Sequence, residues 1–270
     1  MRLIVSLLIY CFITQVSAQD GFERKINLQG IQKVEANFEW GDISVKNYNG
    51  SELQIVGNVS INLHENDDAF KLDIVRENGA VKVSSGIEDW KDLPQYLTLY
   101  QNGQKIYERV GDPKNMDWND IKSKYQDAGG SYSFGPLIEI ELTLLVPEDL
   151  PLSIETEYGS LEVLDCKNPL ALKAIYGHLL AEFSDRSGDE DCSLESTYSF
   201  VDITLPSDSK YNLTLQTNFG EIYSDLDFNI NKEKSIDKIF KSKVVAALNR
   251  GGAPLQVSAK YNNIYLRKKG

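Results

Sequence analysis

Residues 152–163 read Leu152-Ser153-Ile154-Glu155-Thr156-Glu157-Tyr158-Gly159-Ser160-Leu161-Glu162-Val163, and their pattern decides the fold. Leu152, Ile154 and Thr156 alternate with polar residues, and Leu161 and Val163 do so again beyond the glycine. Alternation with a period of two marks a strand with one buried face. A residue that tolerates positive φ between two such runs reads as a corner. The unit is therefore strand, corner, strand, turn.

The phrase recurs as Trp40-Gly41-Asp42-Ile43, Tyr176-Gly177-His178-Leu179, Tyr198-Ser199-Phe200-Val201, Phe219-Gly220-Glu221-Ile222 and Tyr261-Asn262-Asn263-Ile264. Apolar residues stand six and four positions before each aromatic, from Val34 and Ala36 to Leu255 and Val257. Two positions before it the residue is usually small, as at Thr156, Ala174, Ser196, Thr217 and Ala259, with Phe38 the exception. From Tyr158 the steps are 18, 22, 21 and 42 residues, so a coil without its signature is expected between Phe219 and Tyr261. Such a unit cannot bury its apolar face alone and must stack on copies of itself, with strands pairing in parallel ~4.8 Å apart. The expected fold is all-β, a parallel β-solenoid rather than an antiparallel sandwich. About nine or ten coils of ~21 residues would fill the mature chain. The corner positions are Gly41, Gly159, Gly177, Ser199, Gly220 and Asn262.

Parity assigns directions to side chains. Tyr158, Tyr176, Tyr198, Phe219 and Tyr261 share the phase of the apolar positions before them and are expected to form an internal stacking ladder. Two and four positions beyond each aromatic, side chains should face outward. Leu180, Phe200, Tyr223 and Tyr265 then form an exposed stripe, the candidate partner-binding residues.

Other segments are less regular. Residues 53–86 look like further strands, with Asn49-Gly50 and Asn78-Gly79 as turns. Residues 87–135 lose the period, carry many aromatics and are too long for an ordinary connection; they form an insertion. Residues 232–250 have loosely helical spacing at Ile236, Ile239, Phe240, Val244 and Leu248, while Val244-Val245 allows a strand. Residues 1–18 read as a signal peptide: Arg2, an apolar run from Leu3 to Ile13, and small residues ending at Ala18. That run is too short for a membrane span, and none longer follows. The expected organisation is one domain over 19–270, interrupted by 87–135. Of the two mature cysteines, Cys192 lies in the inward phase and Cys166 near a turn, so separate small core residues are expected rather than a disulfide.

The chain carries 28 Lys and Arg against 40 Asp and Glu. That balance argues against nucleic acid as a partner and against electrostatic docking on anionic lipid. With two histidines, there is little for His-based catalysis or metal binding. No nucleophile elbow, zinc-protease helix motif or phosphate loop occurs. The acidic turn of Asp185, Asp189, Glu190 and Asp191 lacks the glycine-punctuated spacing of calcium repeats, and Asp112, Asp117 and Asp120 form no better set. No catalytic, cofactor or metal residue is assigned.

The corner phrases, Trp40-Gly41-Asp42-Ile43-Ser44-Val45, the Tyr-Gly pairs at 158 and 176, Phe219-Gly220-Glu221-Ile222 and Tyr261-Asn262-Asn263-Ile264-Tyr265-Leu266-Arg267, resemble the bacterial "putative adhesin" families of unknown function, the head GIN domain type among them. The resemblance spans roughly 30–86 and 137–268. It implies an exported, right-handed β-helix-like domain with no known catalytic residues. Segment 87–135 departs from it, as do Ser199 and Asn262 in place of the corner glycine.

The expected function is a non-enzymatic, exported binding module at the cell envelope, whether periplasmic, surface-bound or secreted, recognising protein or glycan without a cofactor. The alternatives are a polysaccharide-active enzyme on a β-helix core and a purely structural envelope protein.

Overall fold

The computed structural model describes residues 21–101, 104–110, 131–148, 150–184 and 191–270. The signal-peptide segment, the aspartates at 112, 117 and 120, and Asp185, Asp189 and Glu190 lie outside these residues. Among the described residues the fold is all-β, with two short 3₁₀ turns and no α-helix.

The strands are numbered in chain order. The first ten are β1 (Phe22–Asn27), β2 (Lys33–Trp40), β3 (Asp42–Asn47), β4 (Glu52–Ile61), β5 (Phe70–Glu77), β6 (Ala80–Ile87), β7 (Gln95–Gln101), β8 (Gln104–Val110), β9 (Ser131–Gly135) and β10 (Ile138–Val146). The repeats follow as β11 (Leu152–Tyr158), β12 (Leu161–Cys166), β13 (Leu170–Ala174), β14 (Leu179–Phe183), β15 (Cys192–Ser196), β16 (Val201–Leu205), β17 (Tyr211–Thr217) and β18 (Ile222–Ser224). The chain ends with β19 (Phe228–Ile230), β20 (Ile236–Lys238), β21 (Lys241–Leu248), β22 (Ala253–Ala259) and β23 (Ile264–Lys268).

Each repeat sends its first strand to one sheet and its second to another. One sheet runs β1-β4-β10-β3-β12-β14-β16-β23-β18; the other runs β19-β21-β17-β22-β15-β13-β11-β2-β6-β5, with β20 beside β21. Between successive repeats the pairing is parallel, with Leu152 opposite both Val34 and Leu170, and Leu161 opposite both Ile43 and Leu179; the register shifts only between Leu164 and Cys166, at the end of β12. The inward residues of both sheets merge into one core, in which Val34, Leu161, Leu179, Val201, Leu255 and Ile264 are fully buried. Beyond the repeats the sheets become antiparallel at β1-β4-β10, β5-β6, and β19 and β20 against β21. Both sheets are thus mixed: strands of opposite direction take up both ends of the parallel run in the sheet that contains β2, and one end in the other sheet, where β18 remains a parallel edge.

Several expectations need correction. Among the described residues six strand-corner-strand repeats are present, not nine or ten. The interval between Phe219 and Tyr261 holds no signature-free coil; β19, β20 and β21 fill it as antiparallel strands. The last repeat, β22 with β23, inserts between β15–β16 and β17–β18, so Tyr261 lies between Tyr198 and Phe219 in space. Linear spacing counts residues and is blind to this interleaving. Residues 232–250, open between helix and strand in the sequence, supply β20 and β21.

The corner glycines are also explained differently. Of the six corner residues only Gly41 has positive φ, at 109°. At Gly159, Gly177 and Gly220 the constraint is close approach. A Cβ on Gly159 would collide with the Gly41 carbonyl, one on Gly177 with that of Gly159, and one on Gly220 with that of Asn262. Buried hydroxyls tie the corners together: Thr156 Oγ1 donates to Gly159 O at 3.1 Å, Ser196 Oγ to Gly177 O at 3.3 Å and Thr217 Oγ1 to Asn262 O at 2.9 Å. Cys166 and Cys192 both face the core without a disulfide, and the Cys166 thiol donates to Asn168 Oδ1 at 2.9 Å.

The insertion has a definite place. β6 lies parallel beside β2, with Val81 opposite Val34, and β10 lies parallel beside β3, with Leu142 opposite Ile43. Strands β6 and β10 therefore stand where the two strands of a further repeat would, and the chain between them replaces its corner phrase. The described part of that chain includes the antiparallel sheet β8-β7-β9. It is tied to the body by an Arg109–Glu65 ion pair at 3.0 Å and by Asn62 Nδ2 donating to Pro94 O at 3.1 Å.

A candidate binding edge lined by aromatic side chains

At each corner the backbone turns from one sheet to the other, and the parity of the first strand ends there. Leu152, Ile154 and Thr156 point inward, but Tyr158 closes β11 and its ring swings out to the edge of the molecule. The internal ladder expected from parity is therefore external: Tyr158, Tyr176, Tyr198, Phe219 and Tyr261 are 42–58% exposed. The error has a simple physical source. Period-two reasoning holds only while the strand stays straight.

The rings stack as expected, though outside the core. Ring centroids are 5.0 Å apart for Tyr158–Tyr176, 4.9 Å for Tyr176–Tyr198, 5.3 Å for Tyr198–Tyr261 and 5.4 Å for Tyr261–Phe219. Trp40 extends the column at 4.6 Å from Tyr158. Strand spacing dictates this separation, because each ring hangs from the same position on a neighbouring strand. Trp90 of the insertion leans on Trp40 at 6.1 Å, and Phe240 leans on Phe219 at 5.6 Å. Eight aromatic rings thus form one continuous row along the corner edge.

Across the corner a second, shorter row runs over the outer face of the other sheet. His178 stacks on Phe200 at 5.2 Å, Phe200 meets Tyr265 edge-on at 6.1 Å, and Tyr265 stacks on Tyr223 at 5.3 Å. Three of the four stripe residues are therefore in mutual contact. Leu180 is half-buried and lies opposite Asp202, not opposite an aromatic. Phe200 sits two residues beyond its corner aromatic, whereas Tyr223, Tyr265 and Leu180 sit four beyond theirs, so the stripe spans two rows. Arg267 lies over Tyr265, 5.3 Å from its ring centroid, and pairs with Asp202 at 2.8 Å.

The row ends in a cleft of about 760 Å³ where the insertion meets the body. Trp40, Trp90 and Tyr158 line it beside the carboxylates of Asp42, Glu139 and Glu141. The Trp40 indole N–H is buried and has no hydrogen-bond partner among the described residues. Glu139 is the acceptor for the Tyr107 hydroxyl at 3.5 Å, and Asp42 accepts the Ser160 N–H at 2.7 Å. Two hydroxyls are held as proton donors: a hydrogen bond to Glu157 raises Tyr158 above the usual phenol value, and in the second row the bond to Glu221, at 2.6 Å, raises Tyr223 likewise. Sequence reading missed the cleft. Trp40 was visible as one of the corner aromatics, but its pairing with Trp90 depends on β6 lying beside β2, which no local pattern records.

These features define an all-β protein with an aromatic-lined edge, whose fold is similar to that of one bacterial protein of known structure. A crystal structure of a "putative cell adhesion protein" from Clostridium sporogenes is similar with a TM-score of 0.54 at 10% identity, covering 92% of this chain and 100% of that one. A "putative adhesin" from Bacteroides fragilis matches with a TM-score of 0.30 at 10% identity, over 93% of this chain and 98% of that one. At such identity the Clostridium likeness is one of fold, as the corner phrases led us to expect. No family model matches the chain, and neither does any curated protein.

Proposed function

We propose that the protein is an exported, non-enzymatic binding module of the adhesin type, whose stacked repeats form a solenoid-like scaffold for one recognition edge. The observation that carries this reading is the exposed row of rings running from Phe219 to the Trp40–Trp90 cleft. Stacked rings hide their faces from one another and turn edges and hydroxyls outward, at intervals of one strand. Such a surface suits a ligand that offers hydroxyl groups at regular spacing. In the cleft, indole and phenol rings stand beside carboxylate acceptors, the combination that holds a sugar ring by its apolar face and its hydroxyls. We therefore read the ligand as a glycan, presented at the cell surface or in the envelope. The stripe of Phe200, Tyr223 and Tyr265, with Leu180 beside it, would widen the same edge around the corner. Proteins are the other partner class that the exposed rings could serve.

The test is a glycan array with the wild type and Trp90→Ala, alongside a pull-down from envelope extracts. The reading expects retention on at least one saccharide class and its loss in the variant. Retention unchanged by Trp90→Ala, or depolymerisation of a bound polysaccharide abolished at Glu139 or Glu141, would overturn it.

A further inference from the structure

We infer that the hairpin β20–β21 is a docking tip for an anionic lipid surface. Strands β20 and β21 pair with Lys238 opposite Lys241, which leaves Ile239 and Phe240 as the two-residue turn. Two-residue hairpin turns favour Asn, Asp and Gly. Here the turn carries two large apolar side chains, 92% exposed at Ile239 and 65% at Phe240. Ile230, also exposed, lies with them around a groove of about 1150 Å³. Phe240 rests on Phe219, so the tip is braced against the end of the aromatic row.

Charge selects the occupant. Residues 232–243 hold five lysines, at 232, 234, 238, 241 and 243, against Glu233 and Asp237, a local excess of +3 in a chain whose net charge is -12. Elsewhere Lys25, Lys33, Lys71, Lys82, Lys167, Lys173 and Lys269 pair with carboxylates. Among the described residues none of the five tip lysines has such a partner. An apolar point collared by uncommitted ammonium groups matches an anionic bilayer: the side chains enter the headgroup region while the lysines meet phosphates. The whole-chain charge, which argued against lipid docking, misleads because a surface senses only charges within about a Debye length.

The experiment is co-flotation with phosphatidylcholine vesicles, with and without one-third phosphatidylglycerol. Binding is expected to the anionic vesicles alone. It should fall about tenfold or more in Ile239→Ser/Phe240→Ser and about 25-fold in Lys238→Gln/Lys241→Gln, at roughly fivefold per lysine. Lys46→Gln, on β3 outside this hairpin, should change it little, and melting curves check that each variant folds. Absence of binding, binding unaffected by the two double variants, or retention on dextran sulfate beads without vesicle binding would each overturn the proposal. The inference stands apart from glycan recognition: Trp90→Ala should leave vesicle binding intact, and Lys238→Gln/Lys241→Gln should keep saccharide retention.

Discussion

Gly177→Ala probes the corner most sharply. Gly177 sits in the middle of the stack, between the corners of Gly159 and Ser199. A methyl group there would lie about an ångström inside normal contact with the Gly159 carbonyl, which is backbone and cannot rotate away. Relief requires β13 or β14 to move from β11 or β12, and those strands are paired in parallel on both sides. Overpacking of this kind costs about 1–3 kcal/mol, and the fixed backbone on both flanks puts Gly177→Ala near the upper end. At roughly 2–4 °C per kcal/mol for a domain of this size, the melting temperature should fall by about 6–12 °C. Urea denaturation followed by circular dichroism gives the free energy. Ser199→Ala is the control, because the next corner already accommodates a Cβ; it should stay within about 0.5 kcal/mol of the wild type. Gly177→Ala as stable as Ser199→Ala would refute close approach as the reason for the corner glycine.

Tyr176→Ala removes two stacking contacts, with Tyr158 and Tyr198, and should cost about 1–3 kcal/mol in the same assay although the ring is half exposed. Asn168 is fully buried and donates through Nδ2 to Pro147 O at 2.9 Å and Leu150 O at 2.7 Å. Asn168→Ala leaves both carbonyls unsatisfied and should lower stability by about 2–4 kcal/mol in urea titrations. Tyr96 in β7 is 4% exposed, and burial, with Glu65 nearby, raises its ionisation above the ordinary phenol value. The neutral form is favoured in the fold, so its contribution is complete below the unfolded pKa and is lost as pH rises through the folded one. Melting temperatures above about pH 10 should therefore drop more steeply in the wild type than in Tyr96→Phe.

Strand positions and the core were legible because they rest on alternation that survives from residue to residue. Leu152 and Ile154, or Leu170 and Leu172, fall inward as their phase requires. The corner was legible as a place but not as a geometry: glycine suggested positive φ, while at Gly159, Gly177 and Gly220 the neighbouring carbonyl forbids a Cβ. The outward swing of Tyr158 and its counterparts could not be read from parity, since the corner itself breaks the parity. Two further features depend on long-range pairing alone. Nothing near Tyr261 signals that β22–β23 inserts before β17–β18. Nothing near Trp90 signals that β6 pairs with β2 and β10 with β3, which brings Trp90 to Trp40.

The most direct test of the recognition edge is tyrosine footprinting by hydroxyl radicals and mass spectrometry, with and without a saccharide retained by the protein. Without ligand, Tyr158, Tyr176, Tyr198 and Tyr261 should be modified readily, and the buried Tyr96 and Tyr211 should not. With ligand, protection should run along the row and be strongest at Tyr158, beside the Trp40–Trp90 cleft. A row as inert as Tyr211 without ligand, or equally modified with ligand bound, would contradict the account.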